Sequence, residues 1–104
     1  MQSTLSVNLI LPYDQIVDFC NRWQITEFAL FGSALRDDFR PDSDIDVLVT
    51  FTPDAPYSIF DLARMENELR GIFGRNVDLV EKAGLRNPYR RHEILETCQV
   101  IYAV

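Results

Sequence analysis

Apolar and polar positions alternate in blocks along this chain, and the period changes from block to block. Pro12 suits the first turn of a helix, and Ile16, Phe19, Cys20 and Trp23 then recur at helical spacing, which predicts about three turns with one buried face. Ile25 to Phe31 (ITEFALF) is rich in strand formers and ends at Gly32, so it reads as a strand running into a tight turn. A short helix is expected from Ser33 to Phe39, followed by turn chemistry at Arg40-Pro41-Asp42-Ser43. Asp44 to Phe51 (DIDVLVTF) is nearly continuously apolar after its first three residues, as a strand buried on both faces is. Beyond a proline-containing loop from Thr52 to Tyr57, Ser58 and Asp61 have capping-box spacing. Leu62, Met65, Leu69, Ile72 and Phe73 follow as a helical stripe that stops at Gly74. Asn76 to Val80 is a further short strand, and Asn87-Pro88 opens a last helix through Ile94, Leu95 and Cys98. Val100 to Val104 is either a terminal strand or a frayed apolar end. Strands alternating with helices predict the α/β (α+β) class, with a small mixed sheet of three or four strands flanked by helices. Residues 1–11 read as a lead-in segment and 12–104 as the domain.

Composition narrows the function. With 104 residues, 47% of them hydrophobic, the chain fits one domain with a real core. Ten Lys+Arg against sixteen Asp+Glu leave a net charge of -6, which argues against a protein that grips nucleic acid mainly by neutralising phosphates. Cys20 and Cys98 lie far apart, without metal-ligand spacing, and are too few for a disulfide framework, so a reducing compartment is expected. Cys20 falls on an apolar helical stripe and reads as core. No basic leader precedes an apolar run, and no run approaches the roughly 18 residues of a membrane span. A cytoplasmic protein is the expectation.

The chemistry concentrates between Phe31 and Asp46. Gly32 at a strand end lets backbone approach a ligand closely, and Ser33 opens a helix whose unpaired N–H groups favour an anion. Asp44 and Asp46 stand two apart on a strand, so both carboxylates point to one face while Ile45 and Val47 point to the other. Converging carboxylates need a cation, and hard oxygen ligands that leave room for substrate phosphates suit Mg²⁺. Asp78, between apolar Val77 and Leu79 in a later strand, can supply a third carboxylate, which makes a second metal ion feasible.

Gly32-Ser33, a ten-residue gap and Asp44-Ile45-Asp46 together resemble the signature of the DNA polymerase beta-type nucleotidyltransferase superfamily. The RPDSDIDVLV context, the NVDLV strand and the NPYRRHEIL helix more narrowly resemble the minimal nucleotidyltransferase (MNT) antitoxins encoded beside HEPN-domain toxins, over about residues 12–104. That resemblance implies a polymerase beta-type nucleotidyltransferase fold. It implies Asp44 and Asp46 as metal ligands, Asp78 as third carboxylate and activator of the acceptor hydroxyl, and Gly32 and Ser33 at the β- and γ-phosphates. It further implies ATP as substrate, two Mg²⁺ ions, and AMP transfer to a tyrosine hydroxyl of a cognate HEPN ribonuclease toxin within a hetero-oligomer.

Several residues keep two readings. Arg36, three residues after Ser33, either binds the triphosphate or pairs with Asp37, Asp38 or Asp42. Lys82, Arg86, Arg90 and Arg91 make the C-terminal region basic, facing nucleotide, an acidic partner, RNA or only solvent. His92 is the one histidine, and its spacing from Arg86 loosely mimics HEPN ribonucleases, which are all-helical and so exclude themselves. Trp23, Tyr57 and Tyr89 either stack on adenine or pack. Two rival functions stand beside the enzyme: an antitoxin that neutralises by binding alone, and a transferase acting on a small molecule or an RNA end. Acidity weighs against RNA, and the small size predicts an acceptor site completed by a second protein.

Overall fold

The computed structural model describes residues 3–4, 10–32 and 44–104. Two central strands of seven residues each, β3 (Ile25–Phe31) and β4 (Ile45–Phe51), pair antiparallel across Phe28↔Val49 and Leu30↔Val47. Ahead of them, β1 (Ser3–Thr4) and β2 (Ile10–Leu11) form a two-residue antiparallel ladder, and α1 (Tyr13–Arg22) follows. After β4 come α2 (Ile59–Phe73), β5 (Val77–Glu81), a single 3₁₀ turn at Lys82–Gly84, α3 (Pro88–Thr97) and β6 (Gln99–Ala103). The main sheet has the order β5-β4-β3-β6, with β4 and β5 parallel and β3 antiparallel to both of its neighbours. This is the mixed sheet flanked by helices that the sequence predicts.

Local chemistry sets the element ends. The Asp61 N–H donates to Ser58 Oγ (3.3 Å), and the Ser58 N–H donates to the Asp61 carboxylate (2.9 Å), closing the capping box. Gly74 stops α2 at φ 71, and its N–H bonds the Arg70 carbonyl at 2.8 Å. Asn87 Oδ1 accepts from the N–H groups of Tyr89 and Arg90 at 3.0 and 3.1 Å, with Pro88 in the first turn. Such caps each contribute about 1 kcal/mol.

Burial divides the sheet into two faces. On one, Phe28, Leu30, Ile45, Val47 and Val49 pack with Leu11, with Ile16, Phe19 and Cys20 of α1, and with Met65 and Leu69 of α2. Phe19 and Phe28 meet edge to face there, ring centres 6.3 Å apart. On the other face, Ala29, Phe31 and Leu48 meet Leu85 and Ile94, and α3 lies over them. Strand β4 is therefore buried on both sides over Val47–Val49, which accounts for its nearly continuous apolar run. The chain end forms a strand rather than a frayed tail: β6 pairs with β3 across Phe28↔Tyr102 and Leu30↔Gln99, and the Val104 N–H donates to Thr26 O at 2.9 Å. The helix expected at 33–39 and the turn at 40–43 lie outside the described residues.

Candidate active site

Three strand ends meet at one end of the sheet: the C-terminus of β3 and the N-termini of β4 and β5. Phe31 lies opposite Asp46, and Asp46 lies opposite Asp78, so the three form one row across neighbouring strands. Asp46 shares the face of Leu48, and Asp78 that of Val80. The carboxylates of Asp46 and Asp78 thus belong to the α3 face, away from α1 and α2, and Asp44 stands one residue before β4. Asp44 and Asp78 are exposed and Asp46 is half-buried.

Gly32 takes a positive φ of 68, and a Cβ built there would overlap the Asp46 carboxylate, whose Cγ would stand 3.2 Å away. The turn therefore needs glycine twice over, for its left-handed backbone and for the space that Asp46 fills. The sequence had supplied only the general reason, close backbone approach to a ligand. Ser33 and Arg36, the other two expected phosphate contacts, lie outside the described residues.

Asp46 and Asp78, in register on parallel neighbours about 4.8 Å apart, bring two carboxylates to one face. Among the described residues, there is no group of three or more His, Cys, Asp or Glu side chains placed to hold a metal ion. Mg²⁺ does not require one: it typically takes one or two carboxylates and fills its shell with water and substrate phosphates. The donor set, hard oxygens beside a glycine turn, fits that ion.

The model of the nucleotidyltransferase domain family matches residues 14–101. This chain belongs to that family. Protein adenylyltransferase MntA of Thermococcus cleftensis is 33% identical to this nucleotidyltransferase over 79 residues, which cover 76% of this chain and 78% of that one. A chain of a toxin–antitoxin crystal structure with AMP-PNP matches it with a TM-score of 0.73 at 17% identity, over 90% of this chain and 75% of the other. A chain of the tri-AMPylated Shewanella oneidensis HEPN toxin in complex with MNT antitoxin matches with a TM-score of 0.64 at 15% identity, over 88% and 70%. These two likenesses are of fold.

Topology settles the place of the basic cluster in the nucleotidyltransferase. Helix α3 begins beyond the C-terminus of β5 and ends at Thr97, two residues before Gln99 pairs with Leu30. Arg86, Arg90 and Arg91 thus start from the end of the sheet opposite Asp46 and Asp78. Arg91 Nη1 donates to the Lys82 carbonyl (3.1 Å) and Lys82 Nζ pairs with Glu27 (3.2 Å), so these two cations serve the structure. Arg86, Arg90 and His92 are exposed.

The aromatic readings divide similarly. Trp23 packs against the core, and its indole N–H donates to Glu68 (3.3 Å). Tyr57 stacks on Phe51, ring centres 4.1 Å apart, and donates to Glu81; burial and that carboxylate push its hydroxyl up to about 12. Both are packing residues, whereas Tyr89 is 86% exposed. Cys20 is core, as expected, with burial pushing its thiol up to about 12. A groove of about 340 Å³ between α1 and α2 is lined by Asp14, Asp18, Arg22, Glu68 and their neighbours, on the face opposite the carboxylate row.

Proposed function

We propose that this nucleotidyltransferase is an antitoxin that transfers AMP from ATP to a tyrosine hydroxyl of a cognate HEPN ribonuclease toxin and so silences it. The observation that carries this reading is the Asp46–Asp78 row beside Gly32, in a chain 33% identical to a protein adenylyltransferase. Asp44, Asp46 and Asp78 would hold Mg²⁺, as two ions, and the bound metal supplies neutralisation of the triphosphate charge. Gly32 presents bare backbone to the β- and γ-phosphates, with Ser33 and Arg36 as further ligands of the same groups. The tyrosine oxygen attacks the α-phosphorus in line, the new O–P bond forms as the bond to pyrophosphate breaks, and Asp78 takes the hydroxyl proton. Asp44 and Asp78 are exposed, which fits acids that act on a macromolecular acceptor.

ATP use and two free thiols fit a cytoplasmic site of action, and no helix among the described residues is long and apolar enough to cross a membrane. The test is the intact mass of the HEPN toxin encoded beside this chain after incubation with the protein, ATP and Mg²⁺. The expected result is a toxin heavier by one or more AMP units. A toxin of unchanged mass across nucleotides and divalent metals overturns the reading. Toxin still silenced by Asp46→Asn would instead indicate neutralisation by binding.

A further inference from the structure

The peptide bond that follows Asp78 is held from both sides. The Ile45 N–H donates to the Asn76 carbonyl at 2.9 Å, and strand alternation then sets which backbone groups of β5 face β4. Those of Asn76, Asp78 and Val80 face inward, and those of Val77 and Leu79 face out from the sheet edge. An outward N–H on an edge strand is ordinarily left to water. The Leu79 N–H instead donates to Glu66 Oε2, which reaches over from α2 at 3.0 Å. The second oxygen of Glu66 accepts from Arg70 Nη2 at 2.8 Å, one turn along the same helix, which fixes the carboxylate's orientation.

We infer that Glu66 is a positioning residue for Asp78, acting through the Asp78–Leu79 peptide. The carbonyl of Asp78 is turned to β4 and the N–H of Leu79 is turned to Glu66, so rotation about the peptide's flanking bonds is opposed on either side. Asp78 is only the second residue of a five-residue edge strand, where the ladder alone restrains a side chain least. The Glu66 clamp makes the direction of its Cα–Cβ bond a property of α2 as well as of the sheet. Nothing in the sequence marks Glu66, which looks like any polar residue between the apolar positions of a helix.

This inference rests on the proposed role of Asp78, and the experiment separates the two. AMP transfer to the HEPN toxin is measured with Glu66→Leu, Glu66→Gln, Glu66→Asp and Asp78→Asn, all well below their melting temperatures. Gln keeps an acceptor at the right reach, whereas Asp keeps the charge but retracts it. Misplacement of a reacting group by about 1 Å costs up to about 10²-fold. The expected loss in kcat is about tenfold for Glu66→Leu and for Glu66→Asp, with the KM for ATP within about twofold, and Glu66→Gln within about threefold of wild type. Wild-type kcat in Glu66→Leu, or a Glu66→Gln as impaired as Glu66→Leu, overturns the inference while a dead Asp78→Asn leaves the site reading intact. An active Asp78→Asn removes both.

Discussion

On one face of the sheet Phe28, Leu30, Val47 and Val49 are sealed beneath α1 and α2. On the other, α3 covers Ala29, Phe31 and Leu48 and leaves Asp78 exposed. The same two central strands build both faces, because alternate residues of each point to opposite sides. The difference teaches where stability and chemistry can be spent separately. The sealed face takes the large aromatic and branched side chains and longer-range polar clamps of α2, among them Arg22 to Glu68 and Glu66 to Leu79. The α3 face has a small cluster, and along the row from Phe31 to Asp46 and Asp78 burial gives way to a half-buried and then an exposed acid.

The largest effect that tests this division is on the sealed face. Phe28 is fully buried against Phe19, so Phe28→Ala should cost about 3–5 kcal/mol, a large share of what a domain of this size holds in reserve. Urea titration reads it, and a loss below about 1 kcal/mol would mean that the core does not lie where the burial pattern puts it. Next in size, Asp46→Asn keeps the shape and removes the charge. We expect AMP transfer to fall on the order of 10²–10³-fold with the urea midpoint nearly unchanged. A variant that loses stability instead would make Asp46 a structural residue and erase the distinction between the faces.

Gly32→Ala sits where the two faces' roles meet. The left-handed backbone costs a residue with a Cβ about 1–2 kcal/mol, and the added carbon would displace the Asp46 carboxylate. Both the urea midpoint and AMP transfer should therefore fall, the second by more than the first accounts for. A variant that is less stable yet fully active would show that Asp46 tolerates the move.

Much of this was legible from local spacing. The helical stripe of α2, its Ser58–Asp61 capping box and its Gly74 stop are each decided within a turn or two of chain. Strand β4 was readable from its apolar run, and the opposite faces of Asp46 and Val47 from a period of two. What resisted reading depends on partners distant in sequence. The end of the chain was ambiguous because a short apolar stretch becomes a strand only once β3 offers its edge. Asp78 could be nominated, but its register beside Asp46 belongs to the parallel pairing of β4 with β5, strands separated by all of α2. The basic residues near Arg90 could be given no place until the course of α3 put them at the far end of the sheet from the acids. Glu66 carried no signal at all, since one side-chain contact to one edge N–H leaves no periodicity.

The smallest expected effect concerns the sealed face alone and asks whether its polar clamp is separable from the site. The Arg22 guanidinium hydrogen-bonds Glu68 and holds its carboxyl below the usual range, against the opposing pull of partial burial, with the Trp23 indole adding to the lowering. A carboxyl whose folded value lies below its unfolded one binds fewer protons when folded, so it contributes stability above the unfolded value. That contribution is lost as pH falls through the folded value, and it is absent once both states are protonated. Partly exposed pairs of this kind contribute up to about 1 kcal/mol. Melting curves should therefore fall off as pH drops through the carboxylate range, and Arg22→Gln should flatten that slope by a small amount. Arg22 lies on α1, across the sheet from Asp46 and Asp78, so AMP transfer at neutral pH should stay as in wild type. A marked loss of transfer in Arg22→Gln would mean that the two faces are coupled through the sheet they share.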